Sequence, residues 1–401
     1  MSASASTVNS YARSSGQSRS LVLDPWLIGA VAALLLIGLV MVASASIGIS
    51  ERDTGDAFHY FKRQLTYVGL GLLAGCIGLA IPTRIWDERS TWLLIGAFAL
   101  LVLVLVPGIG YVVNGSRRWI RLGFMNFQVS EAARVLLLMY VSSYAVRRSD
   151  ELRADFKGFM VPVAVLGAAA VLLLLEPDFG AATVLFVTGI AVLFLAGARI
   201  LHLLVPIVLG SLALAALAVI SPYRLRRLTG FLDPWGDPFD SGFQLVQSLI
   251  AIGRGEWFGV GLGSSVLKMF YLPEAHTDFV FAVLAEEFGF VGVVVVIGLF
   301  ALLVVRALKI SREAAQAGQQ FQSYVAAAIG VWIGLQALVN IGVNMGLLPT
   351  KGLTLPLLSY GGSSMLVTLG WLGVLLRINH DTQATGRVGK VSRTPREARR
   401  P

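Results

Sequence analysis

The run Leu272-Pro-Glu-Ala-His-Thr-Asp-Phe279 places three titratable side chains, Glu274, His276 and Asp278, at the mouth of a long apolar segment. Carboxylates and an imidazole cost free energy to desolvate near hydrocarbon. A chain that keeps all three there is expected to use at least one. Asp278 is the leading candidate. It can cap the following helix by accepting backbone N–H bonds, and it can serve as a general base. The two roles are compatible, because a helix N-terminus also holds an anion in place. Thr277 could cap equally well. Glu274 follows Pro273 and is expected to shape the loop, with a second-carboxylate role as the alternative. His276 and Asp278 alone do not make a closed zinc site.

Other groups able to do chemistry are scattered. Glu286 and Glu287 lie inside the apolar run, about two turns past Asp278. Adjacent helical positions point to different faces, so at least one of the pair should meet a cavity or a basic partner. A structural ion pair is the favoured reading. Gly259-Val-Gly-Leu-Gly263-Ser-Ser265, then Lys268, is a run whose N–H groups could cradle a lipid-linked phosphate. It lacks the GK[ST] ending and the context of a nucleotide loop, and Lys268 would equally serve as a snorkelling surface residue. Arg117 and Arg118 stand beside Trp119, either as an interfacial anchor or as a diphosphate fork. Glu131 and Arg134, spaced i, i+3, share a helix face and can pair. Leu355 to Ser364 puts small polar residues inside a span, where close helix packing is the simplest reading.

The elements that must position these residues are membrane helices. The chain has 401 residues, 56% of them hydrophobic and only 14% charged, and a mean hydropathy of +0.75. Soluble domains carry about 25% charged residues. A transmembrane β-barrel would show short alternating segments instead. Runs of about 20 apolar residues span a bilayer, and ten are expected: 25–47, 65–81, 91–107, 129–146, 158–175, 178–197, 200–220, 279–308, 322–346 and 355–377. The fold class is therefore all-α and polytopic, with a large extracytoplasmic loop, 221–278, between the seventh and eighth helices. Pro177 interrupts the fifth and sixth spans and predicts a tight reversal. Within the large loop, Gln244 to Ile252 reads as an amphipathic or re-entrant helix. The single cysteine, Cys76, cannot form an internal disulfide.

Residues 1–24 form a polar, Ser-rich tail expected to be disordered, and the first apolar run reads as a retained helix, not a removed signal. Residues 379–401 form a basic tail, and its stretch from Arg387 to Arg400 holds most of the net charge of +9. No aromatic interleaving accompanies that charge, so topology and anionic membrane lipid explain it better than nucleic acid. The Lys and Arg distribution places both chain ends in the cytosol and the 221–278 loop outside. No internal repeat is evident, which weakens an inverted-repeat transporter.

The Leu272–Phe279 run, the glycine-rich piece before it and the Pro349…Ser359-Tyr-Gly-Gly-Ser-Ser364 signature resemble the SEDS proteins (shape, elongation, division, sporulation). The resemblance extends over about 25–378. Ala275 and the Arg227-to-Pro238 segment bring it closer to the division branch than to the elongation branch. It implies a peptidoglycan glycosyltransferase of the bacterial cytoplasmic membrane. Such an enzyme polymerises lipid II at the outer face of that membrane during septal synthesis. The implied partners are a class B penicillin-binding protein and other divisome membrane proteins. The family's essential aspartate falls on Asp278, and its Glu–Lys pair on Glu131 and Arg134, where Arg replaces Lys. Its Gln-Pro-Asp turn reads Glu176-Pro-Asp178 here. Arg117, Arg118, Lys268, His276 and Glu274 are the expected substrate contacts, and a divalent cation, Mg or Mn, is a candidate to share the diphosphate. A lipid II flippase and a noncatalytic divisome scaffold are the competing readings.

Overall fold

A computed structural model describes residues 22–113, 115–123, 125–220, 230–240, 242–265, 274–349 and 352–391. Lys268, residues 1–21 and 392–401, and parts of the 221–278 loop lie outside the described residues. The chain runs α1 (Pro25–Thr54), α2 (His59–Ala80), α3 (Thr83–Glu88), α4 (Ser90–Leu105), β1 (Gly110–Val113), β2 (Ser116–Arg121) and β3 (Asn126–Gln128). It continues through α5 (Val129–Arg147), α6 (Ser149–Ala154), α7 (Phe156–Leu175), α8 (Phe179–Leu195) and α9 (Ile200–Ile220). After these come α10 (Phe243–Gly255), α11 (Val280–Gln316), α12 (Gln320–Asn344) and α13 (Gly362–Val391). The ten long helices fall on the ten expected spans. The short α10 falls on the expected amphipathic piece.

Three departures from the expected architecture have physical causes. The segment between α4 and α5 folds as a small antiparallel sheet in the order β1-β2-β3. The last span does not begin at Leu355: Pro356, Leu357 at φ 66 and the Gly361-Gly362 pair keep the backbone irregular until α13 starts. Non-helical backbone at membrane depth must be braced by protein, and buried Gln64 of α2 does this. Its Nε2 donates to Ser359 O at 3.2 Å and its Oε1 accepts from Gly361 N at 3.4 Å. Third, α11 breaks at Gly289, with φ 63 and ψ −162.

The break is sealed by the chain after α10. Val260 and Gly261 N–H donate to Glu286 O at 2.9 Å and Glu287 O at 3.2 Å, and Phe290 and Val291 N–H donate to Glu256 O at 2.8 Å and Trp257 O at 3.1 Å. These bonds replace the helical ladder lost at the break. They also correct the expected phosphate cradle: the N–H groups of Gly259, Val260 and Gly261 are committed to backbone carbonyls. The approach needs glycine, since a Cβ at Gly259 would lie 2.1 Å from Glu287 O.

Small residues also let α2 and α13 meet. A Cβ on Gly373 would stand 2.0 Å from Gly75 O, and one on Gly78 would stand 2.4 Å from Gly370 O. Without a hydrophobic driving force between helices in lipid, such close backbone approach supplies the packing.

Cross-links define the two ends of the bundle. At one end Asp24 caps α1 and pairs with Arg306, Val22 N–H donates to His380 Nδ1 at 3.1 Å, and Gln322 Nε2 reaches Thr83 Oγ1 at 3.1 Å. The starts of α1 and α12 and the ends of α11 and α13 therefore gather there. Asp278 precedes the other end of α11, 28 residues before Arg306.

Candidate functional site

The turn that carries Asp278 is built by Glu274. Its φ of 58 reverses the chain, and its carbonyl accepts the N–H groups of Thr277 and Phe279, both at 3.2 Å. Its carboxylate accepts the Thr277 hydroxyl at 2.6 Å. Glu274 thus shapes the loop, as its place after Pro273 implied. Asp278 is half-buried and lies one residue before the N-cap position of α11. That position belongs to Phe279, which makes no side-chain capping bond. The Ala282 N–H donates to Phe279 O at 3.0 Å and also reaches Asn344 Oδ1 at 3.3 Å.

The backbone of Asp278 is held from α12. Asn340 Nδ2 donates to Asp278 O at 3.0 Å and Asn344 Nδ2 to the same oxygen at 3.1 Å. Asn340 Nδ2 also reaches Leu353 O at 2.6 Å. Asp278 Oδ2 faces Gly352, where an added Cβ would come within 3.1 Å of it.

His276 is 7% exposed and packs its ring against Tyr60 and Tyr360, with centroids 5.0 and 5.4 Å away. Its carbonyl accepts the Tyr360 N–H at 2.9 Å. Burial pushes the imidazole pKa below its ordinary value, against the opposing pull of Glu274 and Asp53. The His276 ring supplies a shaped wall beside this turn.

The ion pair between Glu131 and Arg134 forms as the spacing implied, and it is sealed inside the protein. Arg134 Nη1 donates to Gln336 Oε1 at 3.2 Å, and the guanidinium lies over the Trp332 ring at 4.9 Å. Gln336 Nε2 in turn reaches Thr354 O at 3.0 Å. Gln336, Asn340 and Asn344 thus form an i, i+4, i+8 row on one face of α12, running from the buried pair to Asp278. Sequence reading missed this row. The available signal was three amides at helical spacing in an otherwise apolar span.

Arg117 and Arg118 brace the hairpin. Arg117 Nη1 donates to Leu105 O at 3.0 Å, and Arg118 donates to Glu176 O at 3.0 Å and Pro177 O at 2.5 Å. Their observed partners are backbone carbonyls of α4 and of the α7–α8 turn, which makes the expected reversal at Pro177, together with the Ser116 hydroxyl, to which Arg118 Nη2 donates at 3.2 Å. In that turn Asp178 caps α8 through Ala181 N at 3.1 Å and accepts from Gln128 and Ser130. Glu176 is fully buried, and neither carboxylate oxygen has a hydrogen-bond partner among the described residues. Burial, then the charge of Asp178, pushes its pKa up to about 8, with Arg118 opposing.

Glu286 accepts from Ser265 Oγ and from Arg254 Nη1 at 3.3 Å, and Glu287 accepts from Ser44 Oγ at 2.6 Å. Both carboxylates are tied into the packing, as the structural reading expected. Among the described residues no group of three or more His, Cys, Asp or Glu is placed to hold a metal.

The profile of the cell cycle proteins FtsW, RodA and SpoVE matches residues 25–384. A relative from Thioalkalivibrio sulfidiphilus, named probable peptidoglycan glycosyltransferase FtsW, is 57% identical over 372 residues, covering 92% of this chain and 93% of its own. A chain solved in work on the structural coordination of polymerization and crosslinking by a peptidoglycan synthase complex superposes with a TM-score of 0.75 at 32% identity, covering 90% of this chain and 99% of its own. The rod shape determining protein RodA of Thermus thermophilus gives a TM-score of 0.68 at 31% identity, with 90% and 98% covered.

Proposed function

This chain belongs to the cell cycle protein family of FtsW, RodA and SpoVE, and we propose that Asp278 is the general base of its peptidoglycan glycosyltransferase reaction. It is a multi-pass membrane protein of the SEDS type, most like FtsW. Its substrate is lipid II. In the proposed reaction, Asp278 removes the proton from the 4-hydroxyl of the acceptor sugar. The resulting oxygen attacks the anomeric carbon of the donor, the bond to the lipid diphosphate breaks, and the diphosphate leaves with the electron pair. A single displacement inverts the anomeric centre. A lipid diphosphate is already a good leaving group, so one positioned base suffices, whereas a hydrolytic glycosidase uses two matched carboxyls.

The observation that carries this reading is the placement of Asp278. It is half-buried, its backbone is fixed by two amides, and it stands at the end of the bundle opposite Asp24 and His380. Basic residues gather toward that opposite end: Arg306, Lys309 and Arg312 lie in the last turns of α11, and Arg377 lies at the middle of α13. By the positive-inside rule these residues support a reading in which that end is cytosolic, Asp278 lies outside and both termini lie in the cytosol. Buried charge such as Glu131, Arg134, Glu286 and Glu287 lies in the halves of α5 and α11 nearer Asp278. This one-sided distribution favours a polymerase working at one face over a flippase, which needs a polar route across the whole bundle.

The partner in this proposal is a class B penicillin-binding protein at the division septum, which cross-links the emerging strand. Lys268 and the unused N–H groups of Arg117 and Arg118 are the cations offered to the diphosphate. Reconstitution with lipid II, with and without that transpeptidase, tests the reading. Glycan strands should form with the wild type and fail to form with a folded Asp278→Asn variant.

A further inference from the structure

We propose that Asn340 and Asn344 are positioning residues that aim the Asp278 carboxylate; this rests on Asp278 being the base. The two amides lie one turn apart on α12, are 2% and 0% exposed, and converge on one carbonyl, that of Asp278. A carbonyl has two lone pairs, and two donors at 3.0 and 3.1 Å occupy them. The orientation of Asn344 is set by its own partners. Its Oδ1 faces the Ala282 N–H at 3.3 Å, while its Nδ2 faces Asp278 O and, at 2.9 Å, Asn340 O. Asn344 therefore grips the start of α11 from two sides: an acceptor for a helix-end donor and a donor to the residue before the cap.

Asn340 joins this grip to the opposite wall. The same Nδ2 that holds Asp278 O also holds Leu353 O, at 2.6 Å. Leu353 follows Gly352, whose backbone faces Asp278 Oδ2. Gln336 continues the arrangement by holding Thr354 O at 3.0 Å. A single helix face thus sets the distance between the base and the segment it faces. Neither asparagine need touch a sugar to do this. The segment 274–279 has no regular ladder of its own, and its register against α12 is fixed from outside. A misplacement of about 1 Å can cost a reaction about a hundredfold while leaving substrate binding intact.

The test is kinetic, in reconstituted full-length protein with lipid II. Asn340→Ala and Asn344→Ala should each lower kcat about tenfold or more, with KM for lipid II unchanged. Hydrogen exchange should quicken at 274–282 and 352–355. Asn340→Ser and Asn344→Ser keep a small polar group but cannot span the same carbonyls; they should lose kcat likewise and replace the alanine variants if those do not fold. Full kcat in a folded variant overturns the inference, and so does a raised KM with kcat unchanged. Asp278→Asn, measured alongside, separates two failures. An active Asp278→Asn overturns the base assignment. An inactive one beside fully active asparagine variants overturns positioning alone.

Discussion

One methyl group is enough to probe the carboxylate of Asp278. Gly352→Ala would place a Cβ 3.1 Å from Oδ2, so the carboxylate must shift by a few tenths of an ångström. The expected result is a several-fold loss of polymerisation rate in a protein that still folds, read as initial rates on lipid II. The buried pair of Glu131 and Arg134 makes a different prediction, because Arg134 also binds Gln336 and stacks on Trp332. Removing one partner of a buried pair costs about 3–5 kcal/mol. Arg134→Ala should therefore melt well below Arg134→Lys, and equal, wild-type melting of both would show the pair to be unimportant. Glu176 adds a pH dependence. Its folded pKa of about 8 lies above the ordinary glutamate value of 4.5, so the folded state binds the proton more tightly. Its contribution to stability is present at low pH and is lost as pH rises through 8. Glu176→Gln should raise the melting temperature at pH 9 and change it little at pH 5. At this scale the sequence was legible where partners are near in the chain. The i, i+3 pair and the Glu274 turn follow from local spacing. Asn340 and Asn344 escaped notice because the groups they hold lie 62 and 66 residues away.

Helices announced themselves through length and hydropathy, and their interruptions did not. The ten long helices match the apolar runs because lipid demands closed backbone hydrogen bonding. The break in α11 depends on a distant segment, Gly255 to Gly261, supplying replacement bonds. The late start of α13 depends on Gln64 of α2. Neither brace is visible in a local window. The sheet of β1, β2 and β3 is too short to generate a periodic signal, since its strands are four, six and three residues long. The glycine contacts predict how the elements respond to bulk. Gly373→Leu must push α13 away from Gly75 O, which a Cβ would approach to 2.0 Å. Overpacking of this kind costs about 1–3 kcal/mol, and the variant should melt earlier in detergent. Gly298→Ala, where a Cβ meets nothing within 4 Å, should melt like the wild type.

The molecule as a whole has a sidedness that follows from its cross-links. Val22 with His380 and Asp24 with Arg306 tie the described chain ends to one rim, and Asp278 faces the other. Cys76 is the single cysteine and is exposed, so Cys76→Ala gives a thiol-free background. In that background Thr277→Cys should react with a membrane-impermeant maleimide added outside spheroplasts. Lys309→Cys should react only after permeabilisation. The reverse pattern would put Asp278 on the cytosolic side and remove its access to an external glycan. The most direct test of the central claim is polymerisation of lipid II by purified, reconstituted protein, comparing the wild type with an Asp278→Asn variant of equal melting temperature. The account predicts glycan strands from the first and none from the second; strands of normal length and rate from the second would contradict it.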